Sequence, residues 1–320
     1  MPQVQTVCGP VAADALGHSQ IHEHIFVRWT PMAEKNPALR LDDPARSLAE
    51  LRAYRAAGGS FLADAQPVAA GRDAGVLQDL SRDSGVAVAA STGYHLLGFY
   101  SADCWIHALD EEGLYDLYCG ELLEGMLPWQ EDPALRPLRP TSIRAGLVKA
   151  AIPAEGAVGR YETLLRAAAR AAVRCGVPLM LHTERGENAL PALELCFRAG
   201  LPPERLIVCH VDRQAADFSP HDAIAATGVY LDYDTIGRFK YHSDEEEVAL
   251  LRHMCEGGRE RQLLLALDTT AQRLAAYGGE IGLCYLLEQF LPRLAGAGFS
   301  PKELRAFTVS NCRRLFAGCA

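Results

Sequence analysis

Two histidines, His22 and His24, stand two residues apart inside the apolar run 21–26. In an extended segment residues i and i+2 share a face, so both imidazoles aim at one point while Glu23 faces the other way. Paired imidazoles on a strand suit a zinc-like cation; the same pattern also describes two polar residues on a half-buried strand. Four more residues able to do chemistry close later apolar runs: Lys149, His182, His210 and Asp268. Each has a plain reading by itself. A histidine at a strand end makes rim hydrogen bonds. Lys149 serves as an ion-pair partner or as a Schiff-base lysine. Asp268, followed by Thr269 and Thr270, caps a helix. Their joint occurrence at the same end of successive runs needs a common explanation.

The elements that must position them follow a rhythm. Short apolar runs at 21–26, 60–63, 86–90, 143–149, 179–182, 206–210, 229–231 and 263–268 alternate with segments of helical periodicity. Near-continuous apolar runs are what strands buried on both faces look like. In 160–175, Leu164, Leu165, Ala168, Ala171 and Ala172 recur at three-to-four spacing and Gly176 follows as a stop. Segments 188–199, 244–255 and 283–294 read the same way. Eight strands alternating with helices predict a (β/α)8 TIM barrel, an α/β fold with residues 1–320 as one domain. An open doubly wound sheet is the alternative, but no Gly-x-Gly-x-x-Gly turn follows the first run. Residues 3–16 hold two short β-like pieces around Gly9-Pro10, a short N-terminal hairpin expected to act as a lid. In a barrel the C-terminal strand ends share one mouth, where active sites are built. The irregular segments 28–43 and 129–141 belong to the loops of that face.

Composition narrows the class. The 320 residues are 49% hydrophobic and carry a formal net charge of −9. That charge argues against a general nucleic-acid binder, which needs a basic surface. No run is long and apolar enough to span a bilayer. Residues 1–5 lack the basic and apolar regions of a signal peptide, so a cytoplasmic location is expected. The ten cysteines include no Cys-x-x-Cys pair and read as small buried hydrophobes rather than a disulfide framework.

The chain resembles the phosphotriesterase family of the amidohydrolase superfamily over almost its whole length. The resemblance rests on His22-Glu23-His24, Gly146-Leu147-Val148-Lys149, His182-Thr183-Glu184, His210-Val211-Asp212-Arg213 and Leu267-Asp268-Thr269-Thr270. It continues through Tyr277-Gly278-Gly279 and the C-terminal stretch 310–316, where the family more often has Asn-Pro. It implies a hydrolase with two divalent metal ions, usually zinc, with manganese, cobalt or iron as substitutes. On that pattern His22, His24 and Asp268 hold the more buried metal and His182 and His210 hold the other. Lys149, carboxylated by carbon dioxide, bridges both. A metal-bridging hydroxide attacks a carbonyl carbon or a phosphorus centre, and Asp268 takes its proton. Asp212 either relays that proton from behind the ligands or pairs with Arg213. Glu23 is expected in an ion pair in the barrel wall.

What the resemblance implies for substrate is looser. Family members include phosphotriesterases, acyl-homoserine lactonases and sugar lactonases. Lys240 matches a lysine that sugar-lactone-phosphate hydrolases use for phosphate, and Arg238 and Arg273 add charge in the same loops. Tyr94 and His95 fall at the end of the third run, where they line a pocket or pack beneath it. A polar lining favours a sugar lactone, with or without phosphate. The alternatives are a phosphotriesterase or carboxylesterase acting on other esters, or a metal-containing binding protein without activity. The expected partner is a small-molecule substrate, with no nucleic acid and no membrane. The family often forms dimers, and Trp29, Trp105 and Trp129 offer loop aromatics for a homodimer.

Overall fold

Apolar runs buried on both faces leave strands no solvent side, and here they close on one another. The computed structural model describes residues 2–317. Two strands, β1 (Gln3–Thr6) and β2 (Gly9–Ala12), form an antiparallel hairpin. Eight parallel strands follow: β3 (His18–Glu23), β4 (Gly59–Asp64), β5 (Ala87–Gly93), β6 (Leu147–Ala151), β7 (Leu179–His182), β8 (Leu206–Cys209), β9 (Tyr230–Tyr233) and β10 (Leu263–Leu265). Each pairs with the next in sequence order. The last and first meet where the Asp268 N–H donates to the His22 carbonyl at 3.1 Å. This is a TIM barrel with helices outside, as the sequence predicts.

Register places the reactive side chains at one level. Lys149 sits beside Gly93 on one flank and Met180 on the other, and His182 lies beside Cys209. Gly93 is obligatory: its φ is +99°, and a Cβ there would fall 1.9 Å from the Lys149 carbonyl oxygen. Below this level the barrel is filled by Ile21, Phe61, Leu147, Met180, Ile207 and Leu264. A second, larger apolar cluster packs between the strands and the helices.

The N-terminal hairpin turns at Val7-Cys8 and closes the other mouth, so it is not a lid over the reactive side chains. The Val7 N–H donates to the Val88 carbonyl, and Arg144 donates to Gln5 Oε1 at 2.7 Å. Val4 joins Leu315 and Phe316 of the last helix in the lower barrel core, so the apolar side of the hairpin dictates the position. The helix Arg160–Cys175 ends where expected, with Gly176 left-handed. Ser243 and Glu246 form a capping box at the start of Asp244–Glu256. Segment 283–294 is not one regular helix. A π-turn over Leu286–Phe290 precedes the helix Leu291–Gly296. Pro292 has no N–H for an i−4 carbonyl, and the wider turn accommodates it.

Segment 28–43 contains the short helices Pro31–Lys35 and Pro37–Leu39 and is pinned by a bridge between Val27 and Leu41. Arg28 stacks on Trp129 of the second irregular segment, and Trp29, Trp105 and Trp129 line one small cleft. Beneath these loops Arg72 and Glu121 form a buried bidentate pair at 2.6 and 2.7 Å. The guanidinium also donates to the Ser91 and Leu127 carbonyls, tying the loop after β4 to helix Glu111–Leu123. Removing one partner strands a buried charge. Arg72→Met is therefore expected to lose about 3–5 kcal/mol of stability in urea denaturation. The double variant Arg72→Met/Glu121→Leu should recover most of it; an unchanged midpoint for the single variant would remove the pair from the account of these loops.

Candidate metal centre

The upper end of the barrel interior gathers nitrogen and oxygen donors from five strands. His22 and His24 leave β3 on one face, their rings 5.8 Å apart. Lys149 rises from β6 with its Nζ 3.1 Å from His22 Nε2. His182 ends β7 and His210 follows β8, with His210 Nε2 2.8 Å from His182 Nδ1. Asp268 follows β10, its Oδ1 3.5 Å from His24 Nε2 and 3.8 Å from His22 Nε2. One donor atom each from His22, His210 and Asp268 falls within a 4.8 Å span. All six residues proposed from sequence as metal ligands thus converge on one place.

Two of them sit in backbone conformations that L-residues seldom adopt. His210 has φ +65° and Asp268 φ +46°. Each such residue costs about 1–3 kcal/mol and persists only where its surroundings over-determine it. For Asp268 the surroundings are visible. Glu23 is fully buried and accepts from the N–H groups of Leu267 at 2.8 Å and Thr269 at 3.2 Å. The Thr269 hydroxyl donates to the His24 carbonyl. Glu23 therefore braces the Asp268 turn and makes no ion pair among the described residues. Burial raises its pKa to about 8, with those hydrogen bonds opposing the shift.

Asp234 holds the imidazoles, a role that the sequence pattern does not single out. Its Oδ2 accepts from His22 Nδ1 at 2.9 Å and its Oδ1 from His210 Nδ1 at 2.6 Å. With both Nδ1 atoms engaged, the Nε2 lone pairs of His22 and His210 point inward. The spacing rule that singled out His22 and His24 applies equally to Asp232 and Asp234 at the end of β9. Asp232 is also buried, 3.3 Å from His22 Nδ1, with neither oxygen hydrogen-bonded.

Electrostatics keep the donors in metal-binding form. Burial, aided by the charge of Lys149, lowers His22 to about 4. His182 and His210 are lowered mainly by burial as well. Burial also lowers Lys149, which favours its free amine. For Asp268 burial pushes upward, but the Arg238 guanidinium and the neighbouring imidazoles overcome it and hold the carboxyl well below its usual range. Neutral imidazoles with lone pairs facing one another across 2.8 Å need a proton or a cation between them. This donor set fits divalent cations.

Above the centre lies a cavity of about 350 Å³. Val27, Met32, Leu39, Leu41, Leu96 and Phe99 give it an apolar part; Arg213, Arg238 and Lys240 give it a cationic part. Arg238 reaches Asp268 Oδ2 at 2.5 Å and Arg213 reaches it at 3.3 Å. All three cations lie over the Tyr241 ring, at 5.2, 5.8 and 4.6 Å for Arg213, Arg238 and Lys240.

The residues proposed from sequence for substrate binding divide. His95, Arg238 and Lys240 line the cavity; His95 stacks on Phe99 at 3.7 Å. Tyr94 does not line it. Its ring points into the wall, fully buried, with an unpartnered hydroxyl. Arg273 does not line it either; it lies buried behind the loop and donates to the Ile236 carbonyl at 2.6 Å. Asp212 neither touches one of the four converging imidazoles nor pairs with Arg213. Its Oδ2 accepts from the Thr235 N–H at 2.6 Å. Arg213 instead faces Asp268 and Glu184.

The sequence profile of the phosphotriesterase family matches residues 2–316. The chain belongs to the phosphotriesterase family. It is similar to the phospho-furanose lactonase of Mycoplasmopsis synoviae (strain 53), 27% identical over 326 residues covering 98% of this chain and 91% of the relative. It also resembles the N-acetyltaurine hydrolase of Salmo salar, 25% identical over 354 residues, with 98% and 97% covered. The crystal structure of an amidohydrolase from Mycoplasma synoviae superposes with a TM-score of 0.92 at 25% identity, covering 99% of this chain and 92% of that one. These relatives are hydrolases by name.

Asp234→Asn leaves one acceptor where two are needed, so one imidazole must turn its lone pair outward. Loss of such a partner weakens metal affinity about 10–100-fold. A chelator competition titration should show that drop with the circular dichroism spectrum unchanged. Wild-type affinity in the variant would mean that the imidazoles hold their orientation without Asp234.

Proposed function

We propose that this chain is a binuclear metal-dependent hydrolase that opens lactones, with a sugar lactone, phosphorylated or not, as its substrate class. The observation that carries the reading is Lys149. It is fully buried, lies against His22 Nε2 and Met180 Sδ, and forms no ion pair with a carboxylate among the described residues. A lone ammonium at that place repels cations, whereas its amine can add carbon dioxide and become a carboxylate-like donor.

His22, His24 and Asp268 would hold one cation, His182 and His210 the other, and carboxylated Lys149 would stand between them. Two such cations, zinc or a related divalent ion, supply Lewis acidity and make water a nucleophile near neutral pH. The protein's own groups do the rest. Asp234 keeps two imidazoles in the right tautomer. Asp268 accepts the proton of the attacking water and returns it to the ring oxygen as the C–O bond of the lactone breaks, giving a hydroxy acid. Arg213 and Arg238 orient the Asp268 carboxylate. Arg238 and Lys240 face the cavity, where an anionic substituent of the substrate would sit. Relatives named phospho-furanose lactonase support both the lactone and the anion. The relatives named N-acetyltaurine hydrolase bring an acyl amide bearing an anion into any substrate panel.

Protein loaded with zinc in bicarbonate should release acid from one or more five- or six-membered sugar lactones. Silence across lactones with and without phosphate, in protein holding two metals, would discard the lactone and move the search to amides and other esters. Lys149→Ala should lose most bound metal and activity, and a short carboxylic acid added to the variant should restore part of both. Two bound metals and full turnover in that variant would exclude the carbamate. Lys240→Ala should raise KM for a phosphorylated lactone about tenfold or more and leave the unphosphorylated one nearly unchanged. Equal effects on both would take Lys240 out of phosphate recognition.

A further inference from the structure

A second donor cluster lies buried outside the centre described above. Asp212, in the turn Val211–Arg213, His242, in the loop after β9, and Glu247, in the helix Asp244–Glu256, each offer a ligand atom within one 4.8 Å span. All three are buried, Asp212 and Glu247 completely. His242 Nε2 is 3.4 Å from Glu247 Oε2 and 4.0 Å from Asp212 Oδ2.

The hydrogen bonding leaves this cluster short of positive charge. His242 Nδ1 lies 3.0 Å from the Ser243 carbonyl, which can only accept, so the proton sits on Nδ1. Nε2 then carries the lone pair and has the two carboxylates beside it. Both oxygens of Glu247 and Oδ1 of Asp212 have no hydrogen-bond donor. Neither carboxylate is ion-paired to a lysine or arginine among the described residues. A buried carboxylate with neither donor nor counter-charge is costly. The Thr235 hydroxyl, 3.0 Å from Nε2, donates to that lone pair, and an ion would take its place.

We propose that Asp212, His242 and Glu247 form a further cation site, separate from the catalytic centre, which takes one first-row divalent ion such as zinc or manganese. One imidazole nitrogen with two carboxylates is a donor set for that class. Ligands around a tetrahedral zinc lie about 3.4 Å apart, given bonds of about 2.0–2.2 Å, so the three groups need only close slightly. An ion here joins the turn after β8 to the outer helix and clasps the loop between them. That loop carries Arg238, Lys240 and Tyr241, so the site braces the cationic part of the cavity rather than reacting with substrate.

The test is metal counting. Protein stripped with a chelator, reloaded with zinc alone in bicarbonate and desalted should hold three equivalents by mass spectrometry. Glu247→Gln should hold one fewer than wild type, and Lys149→Ala should keep this ion while losing the catalytic pair. Equal counts in wild type and Glu247→Gln overturn the proposal. Equal counts in wild type and Lys149→Ala instead count against the binuclear centre, so the two failures are distinguishable. Manganese-soaked wild-type crystals give a check that needs no variant. An anomalous peak between Asp212, His242 and Glu247 supports the site, and its absence there overturns it.

Discussion

One carboxylate, that of Asp234, touches imidazoles contributed by two strands on opposite sides of the sequence. It accepts from His22 Nδ1 with one oxygen and His210 Nδ1 with the other, and Oδ2 also takes the His210 backbone N–H at 3.2 Å. A histidine offers two nitrogens, and only a partner on one of them decides which lone pair is presented. Burial alone would push Asp234 upward, but the two imidazoles outweigh it and keep the carboxyl below its usual range. The contact is therefore mutual: the imidazoles keep Asp234 anionic, and Asp234 keeps their Nε2 atoms turned to the centre. The left-handed backbone of His210 fits the same constraint, because that turn carries its N–H and its ring to one carboxylate.

The opposite side of the centre is set by a different device. Asp268 follows the three-residue strand β10, which leaves the ladder early. Its position depends on Glu23, whose two oxygens take the N–H groups on either side of it. The residue between the two histidines thus acts from the back of β3, through the barrel wall, on Asp268, the last of the candidate ligands in the chain. Substituting any one of these groups disturbs two strands at once, since the barrel closes between β3 and Asp268. Rigidity at this level comes from closure, and the two strained residues persist because closure leaves them no alternative.

Much of this was legible in the sequence, and the reasons are physical. Strands buried on both faces must be apolar throughout, so eight of them stand out, and barrel geometry then brings their C-terminal ends together. Lys149 is conspicuous because an amine at the end of such a run has no solvent to reach. Asp234 was harder to see, since an acidic residue at a strand end also reads as the start of a loop. Tyr94 and Arg273 read as candidates for the cavity because they lie in segments at its mouth. Sequence position fixes the loop but not the direction of the side chain, and both turn into the protein. Arg213 shows the converse. Beside Asp212 in sequence, it looks paired to its neighbour, yet successive residues in the turn Val211–Arg213 diverge, one into the wall and one into the cavity.

The division between barrel and loops has a consequence for specificity. The donors of the centre stand on strand ends, where Asp234 fixes His22 and His210 and Glu23 fixes the Asp268 turn from within the wall, while from the rim Arg213 and Arg238 reach Asp268. The cations of the cavity stand on the loop after β9 and the turn after β8, gathered over one tyrosine ring. Three like charges on one ring repel one another, and in the structure two of them are balanced by Asp268. Lys240 has no such partner among the described residues. An anionic substituent entering the cavity would supply the missing counter-charge, while the apolar part formed by Val27, Met32, Leu39, Leu41, Leu96 and Phe99 would contact the uncharged remainder. The loops that line the cavity share no hydrogen bond with Lys149 among the described residues, which is why the centre is so much easier to recognise than the molecule it acts on.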